Sequence, residues 1–207
     1  MAEQNTGLDT STSSSPDPIT MSPDSQFFST FLTLNHLAEA CTGWHFLPGM
    51  LFKETQAWWK PAPRQTLHEG VDLLFLTDCD GQRCDIPPEA LIPPLWDGEV
   101  IAVFDDFLGS TVVVRHSVMD GQGWRLVSLY GHVHPLVECG AQVSAKEPLA
   151  EVACGTARGA SAPPDHLHLS LGWLAPGWSV AELNWPGLWS NPGIQLIDPL
   201  PWIQPKP

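Results

Sequence analysis

From His68 onward the chain is a succession of short apolar runs, each ended within a few residues by Gly, Pro or Asp. Runs of that length are too short for helices, which need about ten or more residues, but they suit strands of about four to eight. The clearest are Val100 to Phe104, Thr111 to His116, Trp124 to Tyr130 and His166 to Leu171. The sequences DGQG at 120–123 and WDG at 96–98 supply turn residues between them. The pattern predicts a mainly β domain built from antiparallel strands.

The N-terminal part is different. Residues 1–22 are rich in Ser, Thr, Asp and Pro and carry too little apolar surface to offset the entropy of ordering, so they are expected to be a disordered tail. Ser22, Pro23 and Asp24 form a helix-start signal. Phe27, Phe28, Phe31, Leu34, Leu37 and Ala38 then fall near one helical face, which predicts a helix packed on the β domain. With 207 residues the chain has room for one catalytic-sized domain and an extension. The expected organisation is a polar tail over 1–22, a helical extension over 23–60 and a β domain over 61–207.

A formal net charge of −14, with nine Lys plus Arg, disfavours contact with nucleic acid or an anionic membrane surface. No stretch approaches the roughly 20 apolar residues that span a bilayer. Residues 1–26 lack the order of positive residues, apolar core and cleavage site that marks a signal peptide, which leaves the localisation open. Cys79 and Cys84 are near enough in sequence for a loop disulfide or a minor metal site. An odd total of five cysteines favours buried or free thiols instead.

Three segments carry chemistry: HEGVD at 68–72, YGH at 130–132 and HLH at 166–168. Zinc in a hydrolase takes three nitrogen or oxygen ligands from the protein and leaves a fourth position for water. His68, Asp72 and His168 can supply those three. His166 and His168, two apart in an extended run, project to one face, so that one can bind metal while the other meets substrate. His68 and Asp72, four apart, would also share a face on a strand, with Gly70 permitting close approach of another backbone. A lone HxxxD usually marks nothing. Two such pairs, a third histidine after an apolar strand and glycine-punctuated strands between them are a stronger signal.

In that order and spacing the segments resemble those of the lysostaphin-type, or LytM-type, zinc metalloendopeptidases. The resemblance runs from HEGVDL over about two thirds of the chain and includes DGEVIAVF, TVVVRHS, WRLVSLYGHV and PPDHLHLSL. It implies an antiparallel barrel or sandwich of the duplicated hybrid motif type. It also implies that His68, Asp72 and His168 bind zinc, and that His132 and His166 flank a metal-bound water that attacks a peptide bond. The implied substrate is the peptide part of bacterial peptidoglycan. The rival class is a noncatalytic binding or regulatory module that keeps the metal for stability; a third is a metallopeptidase with an intracellular substrate. Two departures are visible. Leu169 and Ser170 follow HLH where the family has an aromatic residue and a glutamate, which predicts a missing carboxylate behind the metal. The segment Leu73 to Leu95 is longer than the family's connection and is expected to form an insertion beside the groove. His116 is read as a packed histidine, His134 as solvated, and the tryptophans of the C-terminal region as a packed flap near the groove.

Overall fold

The structure, a computed structural model, describes residues 25–155, 162–179, 181 and 183–205. The polar tail over 1–22 and the Ser22-Pro23-Asp24 helix start lie outside the described residues. The fold is mainly β and antiparallel with a small N-terminal helix, as the run lengths predict. Strands β1 (Cys41–His45), β2 (Val71–Leu73), β3 (Phe75–Asp78), β4 (Arg83–Asp85), β5 (Leu91–Ile92) and β6 (Gly98–Asp105) come first. They are followed by β7 (Ser110–Met119), β8 (Arg125–Pro135), β9 (Gln142–Val143), β10 (Ala150–Val152), β11 (Leu167–Leu174) and β12 (Ile194–Ile197).

Strands β6, β7 and β8 form a meander, and β8 carries β11 on its other edge, inside a nine-stranded sheet. The β7–β8 turn is built as its sequence demands. The Asp120 carboxylate accepts the backbone N–H groups of Gln122 and Trp124, and Gly123 takes φ +87°. Every residue of β11 is buried, but the two faces differ. Leu167, Leu169, Leu171 and Trp173 enter the larger core with Val112, Val114, Leu126 and Tyr130. Leu174 joins Val113, Val127 and Leu129 on the opposite face, where Leu183, Leu188 and Ile194 of the C-terminal region cover them. This is the two-residue period of an extended chain, and each such Leu or Val stabilises the fold by about 1.5–3 kcal/mol relative to exposure.

A second, three-stranded sheet runs in the order β1-β3-β4. Helix α1 (Phe27–Leu34) docks beside it, with the rings of Phe27, Phe28 and Phe31 at 6.3, 5.5 and 4.9 Å from Trp44. The helix is shorter than its apolar pattern suggested. Asn35 stops it: its side-chain amide donates to the carbonyls of Phe31 and Leu91 and its side-chain oxygen accepts from Leu91 N–H. His36 then adopts φ +59°, outside the helical region. Leu32 therefore takes the buried place expected of Leu34, and Ala38 is exposed. The stretch 23–60 thus contains strand β1 and a long loop besides the helix.

Cys84 approaches Cys41 on the neighbouring β1, Sγ to Sγ 3.8 Å, and not Cys79. Cys79 is exposed with its thiol on the Glu39 carbonyl, and all five cysteines are free. Burial, with the neighbouring Cys84 thiol, pushes the Cys41 thiol up to about 11, which makes it a poor nucleophile and a poor metal ligand at neutral pH. No helix among the described residues is long and apolar enough to cross a membrane.

Candidate functional site

Strand register builds the site. His168 on β11 lies opposite Asp72 of β2 on one side and opposite Gly131 of β8 on the other. Directly opposed residues share a face, so Asp72 and His168 meet, and Gly131 leaves the third place in the row empty. The indole of Trp185 fills that place: a Cβ on Gly131 would lie 2.9 Å from its Cζ2. His68 does not sit on a strand, contrary to the same-strand expectation. It precedes β2, held by its N–H on the Glu54 carbonyl (3.0 Å) and by Lys53 N–H on its own carbonyl (2.9 Å). The chain bends at Gly70, where a Cβ would fall 2.1 Å from the Leu169 carbonyl oxygen, so this crossing admits only glycine.

Three ligand-type atoms converge here. Asp72 Oδ1 is 3.1 Å from His68 Nε2 and 2.8 Å from His168 Nδ1, and the two ring nitrogens are 3.2 Å apart. Zinc bonds of about 2.0–2.2 Å at tetrahedral angles place ligand atoms roughly 3.3 Å from one another. The donor set fits such an ion, and the three residues form the candidate metal cluster found among the described residues. Their protonation fits as well. His68 Nδ1–H donates to the Leu51 carbonyl at 2.9 Å, which leaves the Nε2 lone pair facing Asp72 and His168. Burial pushes His168 down to about 3, so its ring is neutral at pH 7. Burial alone would raise the Asp72 carboxyl, but His68, His166 and His168 outweigh it and hold the group well below the usual carboxylate range.

The remaining valences are occupied from behind. Asp72 Oδ2 accepts from Trp58 Nε1 at 2.7 Å and from Arg64 Nη2 at 3.1 Å. His168 Nε2 lies 3.0 Å from the Ser170 hydroxyl, which stands where a carboxylate was expected to be missing. The histidine is therefore oriented by a hydroxyl.

His132 and His166 sit at the edge of this cluster, with ring centroids 4.9 Å apart. His132 occupies the point where β8 leaves β11 and takes up β10, between the pairs Gly131–His168 and Val133–Val152, and its φ is +64°. Its Nδ1 meets Asp106 Oδ1 at 3.0 Å. Burial lowers the affinity of His132 for a proton, and the Asp106 hydrogen bond opposes that. His166 Nδ1–H donates to the Pro164 carbonyl at 2.7 Å, and its Nε2 comes within 3.4 Å of Asp72 Oδ1. In both rings the Nδ1 partner turns Nε2 toward the same cleft.

The cleft encloses about 380 Å³ and its floor is Asp72, His132, His166 and His168. Its walls include Trp59, Thr66, Glu69, Phe107, Pro163 and Trp185. The segment 73–95 contributes none of the lining among the described residues, so the expected insertion beside the groove folds instead into β3, β4 and β5. The loop before His68 lines the cleft instead, through Trp59, Arg64, Gln65 and Thr66. The C-terminal flap is as expected for Trp185, which packs edge-on to His168 at 4.8 Å, and for Trp189, which stacks on Phe52 at 5.6 Å. His116 is packed away from the cluster, with Nδ1–H on the Asp97 carbonyl and Nε2 on the Ser128 hydroxyl. His134 is exposed. Trp58, Arg64, Asp106 and Thr111 belong to the site but carry no spacing signal in the sequence.

No family model matches this chain, and no curated protein matches it. Among solved structures, it is similar to a protein described as a peptidase M23 from Pseudomonas aeruginosa, at 28% identity and a TM-score of 0.37. That match covers 62% of this chain and 48% of the other, so the chain spans about half the length of that protein. It is also similar to LytU, at 20% identity and a TM-score of 0.45, over 78% of this chain and 90% of that one.

Proposed function

We propose that this protein is a zinc-dependent endopeptidase whose metal ligands are His68, Asp72 and His168, and whose substrate is the peptide part of bacterial peptidoglycan. The observation that carries the reading is the convergence of those three ligand atoms beside an open cleft that Asp72 and His168 line and into which His132 and His166 also turn their Nε2 atoms. Zinc held there would act as a Lewis acid on a peptide carbonyl and would make water acidic near neutral pH.

The chain's own residues would do the rest. In its neutral form each of His132 and His166 would offer a lone pair at Nε2, able to take a proton from water, and each becomes a donor to a developing oxyanion once protonated. Trp59, Phe107 and Trp185 give the cleft apolar walls that exclude water around an extended peptide. Trp58 and Arg64 hold Asp72 so that one oxygen remains free for the ion. Peptidoglycan as the substrate rests on the sequence resemblance to the lysostaphin-type endopeptidases.

The test is release of peptide from purified peptidoglycan by zinc-loaded protein, beside a His168→Ala variant and a chelated control, with new termini identified by mass spectrometry. Release that needs both the metal and His168 is the expected result. A folded, zinc-loaded protein that releases nothing would refute the reading and favour a noncatalytic metal-stabilised module.

A further inference from the structure

Building on the peptidase reading, we propose that Asp106 is a positioning residue that fixes the ring and the Nδ1 proton of His132, so that His132 Nε2 is presented to the cleft during peptide hydrolysis. Asp106 lies in the β6–β7 turn, 26 residues before its partner. Its side chain is fully buried and each oxygen has two donors. Oδ1 faces His132 Nδ1 at 3.0 Å and accepts Leu108 N–H at 2.9 Å. Oδ2 accepts the backbone N–H of His132 and the hydroxyl of Thr111, both at 2.8 Å. A carboxylate bound at four points cannot rotate away, and as an acceptor it fixes the proton of His132 on Nδ1.

The same contacts fix the backbone. His132 stands at φ +64°, in the left-handed region that a side-chain-bearing residue rarely adopts, and its N–H is tied to Asp106 at that point. The bracing continues outward. Thr111 donates its hydroxyl proton to Asp106 and accepts from Trp185 Nε1 at 2.8 Å, so the indole that covers Gly131 is linked through Thr111 and Asp106 to His132.

His166 is held differently: its Nδ1–H meets the Pro164 carbonyl and its Nε2 comes within 3.4 Å of Asp72 Oδ1. A buried carboxylate on Nδ1 fixes the tautomer in which His132 Nε2 carries the lone pair that accepts a proton. As the water oxygen bonds to the carbonyl carbon, its proton moves to His132 Nε2. As the C–N bond breaks, the same proton passes from Nε2 to the amine nitrogen, and His132 returns to its neutral state.

The experiment pairs Asp106→Asn, a near-isosteric change, with nitrogen NMR of the His132 ring and with steady-state kinetics at full zinc loading. The wild type should show His132 protonated on Nδ1, and the variant should shift it toward Nε2. kcat should fall by about 10²–10⁴-fold with KM and zinc content unchanged. In a His132→Ala background the same substitution should cost nothing more, because the two act as one unit. Wild-type His132 protonated on Nε2, or an undiminished kcat in Asp106→Asn, would overturn the proposal, as would a full loss in the His132→Ala background. A wild type with the expected tautomer and bound zinc that cuts no peptide would refute the peptidase reading and the proton transfer with it, while the orienting role of Asp106 would stand.

Discussion

Trp58→Phe removes one N–H and keeps most of the ring. The indole donates at 2.7 Å to Asp72 Oδ2, the oxygen turned away from the ligand cluster, and Arg64 supplies that oxygen's other bond at 3.1 Å. A hydrogen bond to a charged group contributes about 1.5–3 kcal/mol. Trp58 also packs edge-on to His166 at 5.4 Å and to Phe75 at 6.1 Å, contacts that a phenyl ring retains in part. The loss should therefore appear mainly as a looser Asp72, free to turn its second oxygen toward the ion. At about 1.4 kcal/mol per tenfold, zinc affinity should fall by about 10- to 150-fold, in the range known for partners that orient metal ligands. Competition against a chromophoric chelator measures this directly. An affinity within twofold of wild type in a folded variant would show that the Trp58 bond does not organise the metal centre.

Three further outcomes are expected. Gly70→Ala places a Cβ 2.1 Å from the Leu169 carbonyl oxygen and should destabilise the fold by at least about 1–3 kcal/mol while weakening metal binding, read by thermal melts with and without zinc. Burial pushes His116 down to about 4 from an ordinary 6.5, so the unfolded chain takes up this proton first as pH falls. The stability it contributes is present above pH 6.5 and should be lost between there and about pH 4, amounting to about 3 kcal/mol. The difference in denaturation free energy between wild type and His116→Gln across that window isolates it, and parallel pH slopes would contradict it. Phe31→Ala, at the closest ring contact to Trp44, should cost about 3–5 kcal/mol in urea unfolding without changing zinc affinity.

The strands that hold the site were legible because period and length are local properties. Val100 to Phe104 and Thr111 to His116 lie within β6 and β7, and the runs Trp124 to Tyr130 and His166 to Leu171 fall on β8 and β11 except for their first residues. Of the ligand candidates, Asp72 and His168 stand on β2 and β11, directly opposite one another, whereas His68 precedes β2 and reaches the cluster from a loop. Gly70 was legible through what its missing side chain permits. Asp106, Trp58 and Arg64 were not. They reach the site from loops, and an Asp pair before a turn or a Trp pair in a Pro-rich loop has no spacing that distinguishes a site from a surface. The helix end was misplaced because Leu37 and Ala38 continue the apolar face, whereas Asn35 finds its partner on Leu91, 56 residues away. Long-range partners also decided the cysteines: Cys84 meets Cys41 across the sheet although Cys79 is nearer in sequence.

The most direct test of the central claim is a titration of metal-stripped protein with zinc, with peptide bond cleavage followed at each addition. Cleavage should rise in proportion to zinc and level off at one ion per chain, and Asp72→Asn should abolish the rise. Cleavage that is indifferent to zinc, or a full equivalent of zinc bound by His68, Asp72 and His168 with no bond cut, would contradict it.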